Sequence, residues 1–320
     1  MINYNSKKFW EAIRHFNASY VVRRTMRMVL WMSGYALVIA VLNEIGTNEH
    51  IKSHLPFETD LEVIIIEPSV FSLLGVFLSL MMVFRTNTAY DRWWEGRKQW
   101  GALINHTRGL AVIFNGMLRK DDQVNRRFFA KGISAYVVAL SDHLRDISSH
   151  ELIPTYSEEP LESLKKFKHV PNKIVNDLYQ RSEILYQDGL IDGYQLNNVK
   201  PETQSFLDIQ GACERIKATP IPFAHNFFIK LFIFTYCGLL PFVLVPKVGF
   251  FAILLTAFAS YALIGLEFIS VEIEEPFGLD CNDLPTKSLA RKIEGNVHEI
   301  LGIELVQSSP QETKDYIVIS

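Results

Sequence analysis

The densest run of chemistry in this sequence is acidic: Glu272, Glu274, Glu275, Asp280, Asn282 and Asp283 crowd around Pro276, Phe277 and Gly278. Hard cations such as calcium take about six to eight oxygens, and carboxylates and carbonyls on a tight turn can supply several of them. The same residues serve equally well as a solvated acidic loop, as salt bridges or as helix caps. Arg85, Arg92, Arg97 and Arg108 would attract anions if they lined an aqueous vestibule, or would anchor a membrane span at its inner face. His50 and His54 stand at helical i, i+4 spacing but alone, so no zinc site is assigned. Cys213, Cys237 and Cys281 are odd in number, lack CxxC spacing and read as free thiols. No GxSxG elbow, HExxH pair, phosphate loop or GxGxxG fingerprint occurs, so no enzyme is expected.

The elements that must position these groups are helices, four of them apolar. A hydrophobic content of 48% sits at the upper edge for a soluble protein, and it is concentrated locally. Residues 25–42 are apolar on all faces and long enough to cross a hydrocarbon core. Residues 61–84 contain Glu67 and Pro68, and Pro68 is expected to open the helix proper because proline is best tolerated in a first turn. Spans over 227–245 and 248–268 are separated only by Pro246 and Lys247, which predicts a tight hairpin there.

Charge gives the orientation. Lys7, Lys8, Arg14, Arg23, Arg24 and Arg27 precede the first span, whereas residues 43–60 carry one lysine among four acids. Arg85, Arg92, Arg97 and Lys98 follow the second span, so both termini and the central region are expected in the cytosol. Apolar residues at helical spacing run through residues 85–222 between charged ones, which predicts a large helical cytosolic region there and over 269–320. Residues 151–172, with Pro154, Pro160 and Pro171, read as a loop or broken short helices, and the residues after Ser308 as a loose tail. No linker or repeat interrupts the chain, so residues 1–320 read as one domain. A net charge of −3 gives no reason to expect nucleic acid as a partner.

Two stretches resemble the bestrophins, animal chloride channels and their bacterial relatives. One is LLGVFLSLMMVFRTNTAYDRWWEGRKQWG, carrying the pattern RxNxAYxRWWExRxxWG; the other joins TPIPFAHNFF to EIEEPFGLDCNDLP. The resemblance implies an all-α integral membrane protein with four transmembrane helices, assembled as a homopentamer around one axial pore. It implies a hydrophobic neck at Val76, Leu80 and Phe84 and a cytosolic aperture at Phe228. By spacing alone, the neck residues form one i, i+4, i+8 stripe that Ser72 continues with a hydroxyl, and they are ordinary lipid-facing or core positions as readily as a pore lining. Phe228 is likewise an interface anchor as readily as an aperture, with His225 and Lys230 nearby. Gly75 and Ser79 are small enough for close helix packing.

In animal bestrophins the acidic segment is a calcium clasp, and Asp280 and Asp283 fall on its carboxylate positions. Glu275 replaces an asparagine there, and bacterial relatives are not known for calcium gating, so no cofactor is expected unless calcium binds at Asp280, Asp283 and Glu275. The function implied is a passive channel for small monovalent inorganic ions in the inner (plasma) membrane, its neck too apolar to select the sign of charge. The alternative is a secondary transporter of small anions. That would call for paired broken spans in an internal repeat, and here only the Glu67-Pro68 break and Pro241 answer to it.

Overall fold

The computed structural model describes Trp10 and residues 20–48, 66–147, 166–280 and 282–304, and among these every regular element is a helix. They are α1 Tyr20–Thr47, α2 Pro68–Met117, α3 Gln123–Leu144, α4 Val170–Gln187, α5 Gly193–Ala218, α6 Phe223–Val248, α7 Phe251–Glu274 and α8 Thr286–Leu301. Lys7, Lys8, Arg14, His50, His54, Cys281, residues 151–165 and the tail after Ser308 lie outside the described residues. Contacts gather the described residues into two units. One holds α1, α2 as far as Asp91, and Ile221–Glu274; the other holds Arg92–Pro220 and the residues from Glu275 on.

In the first unit, α1, α2, α6 and α7 are each long and apolar enough to cross a membrane. Pro68 is the first residue of α2, as its fixed φ and missing N–H favour. The helix then continues for 50 residues, more than twice the roughly 20 that a hydrocarbon core requires. The hairpin differs from the expectation. α6 runs through Pro246 and Lys247 and ends at Gly249, whose φ of 55° lies in the left-handed region. A proline in the last turn of a helix forfeits one hydrogen bond without ending it, whereas only glycine takes that φ freely.

α7 packs against α1 and α6, and α1 against α6. The α2–α6 contact is apolar and close: Leu78 and Met82 join Ile229, Ile233 and Cys237, and Phe71 stacks on Tyr236 at 4.3 Å. A Cβ at Gly75 would stand 2.6 Å from the Tyr236 hydroxyl oxygen, so a glycine is required there. Ser72 and Ser79 donate to the Pro68 and Gly75 carbonyls one turn back, the usual way a hydroxyl is satisfied on an apolar helix.

The second unit has a conventional core. α3 packs against α4, α5 and α8, with Phe129 stacked on Phe114 and Tyr136 on Phe206. The Tyr136 hydroxyl donates to the Phe206 carbonyl at 2.7 Å, which satisfies its one polar atom. α5 opens with a capping box between Asp192 and Gln195. α4 begins at Val170, with His169 as its N-cap and Pro171 in its first turn, so the end of the proline-bearing stretch is helix rather than loop.

The orphan carbonyls at the end of α2 are closed by one side chain. Arg126 is buried and donates to the carbonyls of Asn115, Leu118, Arg119 and Leu301 and to Asn115 Oδ1. It thereby ties the C-termini of α2 and α8 to the first turn of α3. Arg126→Gln is expected to destabilise the protein by about 2–4 kcal/mol, because each buried carbonyl left without a donor costs on the order of 1–3 kcal/mol. Thermal unfolding in detergent reads this; an unchanged midpoint would show that those carbonyls find other donors.

Candidate functional site

The apolar stripe of α2 sits opposite its packed face. Val76, Leu80 and Phe84 are 68%, 54% and 60% exposed, whereas Leu78 and Met82 on the same turns are 0% and 3% exposed against α6. The reason is angular: residues two apart on a helix lie about 200° from one another, so the side chains that seal the α2–α6 seam point the stripe away from it. Within its own unit the stripe has no packing partner that buries it.

Phe228 lies on the first turns of α6 and is half-exposed, its ring stacked on Phe232 at 6.2 Å. His225 is exposed beside it, and Lys230 Nζ lies 3.9 Å from Glu267 Oε1. The start of α6 has no side-chain cap; instead the Ile221 N–H donates to Glu274 Oε1 at 3.0 Å.

That carboxylate belongs to a buried charge cluster which sequence reasoning missed. Arg85 is fully buried and donates through Nη2 to Glu274 Oε2 at 2.7 Å, while its Nε lies 3.4 Å from Glu267 Oε2. Glu267 and Glu274 are seven residues apart, hence on one face of α7, and one residue beyond Arg85 the Thr86 hydroxyl meets that of Ser270 at 3.2 Å. A signal for the cluster was present: a carboxylate inside an apolar span is costly unless it is paired. Neither reading of Arg85 from the sequence, an inner-face anchor or a vestibule lining, describes it, because its charge is spent inside the helix packing. Arg92 is also engaged, donating to the carbonyls of Ile216 and Thr219 at 2.6 Å each, where it closes the C-terminus of α5.

The acidic run divides between the two units. Glu272 and Glu274 are buried on α7, whereas Glu275, Asp280, Asn282 and Asp283 belong to a turn in the other unit. Asp283 is buried and accepts the Asp280 N–H on Oδ2 at 2.6 Å, and the same oxygen stands 2.6 Å from where a Cβ on Gly278 would be. Leu284 N–H returns to the Pro276 carbonyl, Trp93 Nε1 donates to the Asn282 carbonyl, and Arg145 donates to the Leu284 carbonyl. Glu275 and Asp280 are exposed. Among the described residues the carboxylates of Glu275, Asp280 and Asp283 do not converge as a three-ligand group. Of the described cysteines, Cys213 and Cys237 are free and buried, and burial first, then Glu214 and Glu95, pushes the Cys213 thiol up to about 12. Cys213 therefore lacks the thiolate character that redox or metal chemistry at cysteine needs.

Comparison with known proteins gives the family and the fold. The family described as Bacterial/Fungal Bestrophin protein matches residues 1–299. A protein of Nostoc named a voltage-dependent anion channel-forming protein is 35% identical over 237 residues, covering 72% of this chain and 76% of that one. Its namesake from Mesorhizobium japonicum is 34% identical over 246 residues, covering 77% and 78%. Among solved structures, a bacterial bestrophin homologue from Klebsiella pneumoniae superposes with a TM-score of 0.76 at 22% identity, over 88% of this chain and 99% of that one.

The buried cluster generates a test of its own. Arg85→Gln strands Glu267 and Glu274 without their cation, and breaking such a pair costs about 3–5 kcal/mol. The variant is expected to lose its folded peak in detergent size-exclusion chromatography, and the double change with Glu274→Gln to recover part of it. An Arg85→Gln protein that keeps its folded peak unaltered would show that the cluster carries no structural role.

Proposed function

The chain belongs to the bacterial and fungal bestrophin family, and from that premise we propose that it is an anion channel, conducting passively through an axis enclosed by five copies. It is a multi-pass membrane protein with four apolar spans. The observation that carries the reading is the uncovered stripe Val76, Leu80 and Phe84 on a helix whose opposite face is sealed. Repeated around an axis, the stripe makes successive apolar rings, and a narrow apolar constriction gates by dewetting. Phe228 is the aperture in this reading, the basic residues flanking the first two spans support cytosolic termini, and the membrane is taken to be the inner one.

Anion conduction is supported by the Nostoc and Mesorhizobium relatives, both named anion channel-forming proteins. The acidic turn is structural in this reading, and the channel works without calcium. A transporter is less well supported, since α6 continues as helix through Pro241 and the Glu67-Pro68 break lies at the start of α2 rather than within it. Reaction chemistry has no support in the sequence motifs.

Two measurements test the proposal. In bilayers with asymmetric potassium chloride, the reversal potential is expected to sit near the chloride equilibrium value; a value near that of potassium would replace anion with cation conduction. In single-channel recordings, Leu80→Ala and Phe84→Ala are expected to raise conductance or open probability, because a ring side chain with lumen on one side loses little packing when shortened, whereas Leu78→Ala is expected to cost assembly about 2–5 kcal/mol per subunit. Native mass in detergent monitors the pentamer throughout. A silent or dissociated Leu80→Ala beside a conducting Leu78→Ala would put the pore on the other face of α2.

A further inference from the structure

Three helix ends in the polar unit bring two imidazoles and a carboxylate together. His143 lies in the last turn of α3, His169 is the N-cap of α4, and Glu214 lies near the end of α5. Glu214 Oε1 lies 2.9 Å from His169 Nε2 and 3.3 Å from His143 Nε2, the two rings have centroids 4.4 Å apart, and the three ligand atoms all lie within 4.8 Å of one another. None of these residues belongs to the neck, the aperture or the acidic turn.

We propose that His143, His169 and Glu214 form a binding site for a divalent transition metal of the zinc class. The donor set is two imidazoles and one carboxylate, which zinc accepts readily with water in the remaining position. With bonds of about 2.0–2.1 Å, the edges of a zinc tetrahedron measure about 3.3 Å. The 2.9 and 3.3 Å separations are close to two of those edges, and the imidazole nitrogens, within 4.8 Å of each other, need only draw together to complete the third. The three side chains are about one-third exposed, which leaves a path for an ion and for its water.

The surroundings oppose the site little. Lys217 is the nearby cation, and its ammonium is engaged by Asp146 Oδ1 at 2.6 Å and by the His143 carbonyl at 3.1 Å. His169 Nδ1 accepts the Asn172 N–H at only 3.4 Å. A metal on Nε2 moves the ring proton to Nδ1 and gives up that weak cap, with no net loss of a proton from the ring. The result would be a clasp joining the ends of α3, α4 and α5, adding to the shared Glu214 oxygen and the Lys217 ammonium that meet there.

The test is metal uptake by the full chain in detergent, carrying no affinity tag. Zinc is expected to bind at one equivalent per chain with these ligands, and cobalt in its place to show the visible absorption of a tetrahedral nitrogen- and oxygen-ligated ion without thiolate charge transfer. His143→Ala and Glu214→Gln are expected to weaken uptake by more than about a hundredfold, beyond what loss of an outer partner of a ligand costs. His169→Asn is the decisive variant, because asparagine is itself a preferred N-cap and keeps the start of α4 while removing the imidazole. Zinc uptake by His169→Asn equal to that of the unmodified chain overturns the proposal. So does absence of the tetrahedral cobalt spectrum from the unmodified chain, which would leave the three groups as a hydrogen-bonded triad only.

Discussion

A guanidinium removed from water has to be neutralised where it sits, and Arg85 is fully buried. Its partners Glu267 and Glu274 lie on α7, so α2 and α7 are held at one register along their axes. Glu274 also accepts the Ile221 N–H and thereby fixes where the chain enters α6. Three of the four apolar helices are therefore tied at one end through a single buried charge, in a unit whose remaining contacts are mainly apolar and non-directional. Such a cluster adds little net stability over a well-packed apolar one, but apolar packing alone would tolerate a slip by one turn and this cluster does not.

With the register held, the rest of the unit follows from surface chemistry. The seam between α2 and α6 is sealed by Leu78, Met82, Ile229 and Ile233, with Gly75 making room for the Tyr236 ring. A helix has one circumference, so sealing that seam presents Val76, Leu80 and Phe84 outward. In water such exposure would be a liability; in a membrane protein it is the face offered to lipid or to other copies. The polar unit obeys different rules: its core is closed all round, and its helix ends are closed by side chains reaching across, Arg126 at α2 and α8 and Arg92 at α5.

Arginines illustrate how far sequence reading reaches. Arg85 and Arg92 follow an apolar span, where a basic residue is ordinarily an anchor or an attractor of anions, and nothing in their spacing separates those roles from a third. Both turn inward, one to carboxylates nearly two hundred residues away in sequence and one to carbonyls. Backbone carbonyls are the same in every residue, so a side chain that caps a distant helix leaves no mark in local composition. The acidic run likewise reads as one cluster along the chain, yet Glu274 serves Arg85 while Asp283 closes its own turn.

By itself the sequence determined the all-helical class, the four apolar spans, the opening of α2 at Pro68 and the family, because hydrophobic length, helical periodicity and the run RxNxAYxRWWExRxxWG are all local properties. It also placed Val76, Leu80 and Phe84 on one stripe, since the helix repeat alone fixes that. Only the tertiary structure decided which side of α2 is sealed, that α6 continues past Pro246 to turn at Gly249, that Arg85 is buried, and that His143, His169 and Glu214 meet. Those facts depend on which helices become neighbours. Neighbourhood is set by side-chain shape and charge summed over segments far apart in the chain, which no window along it can see.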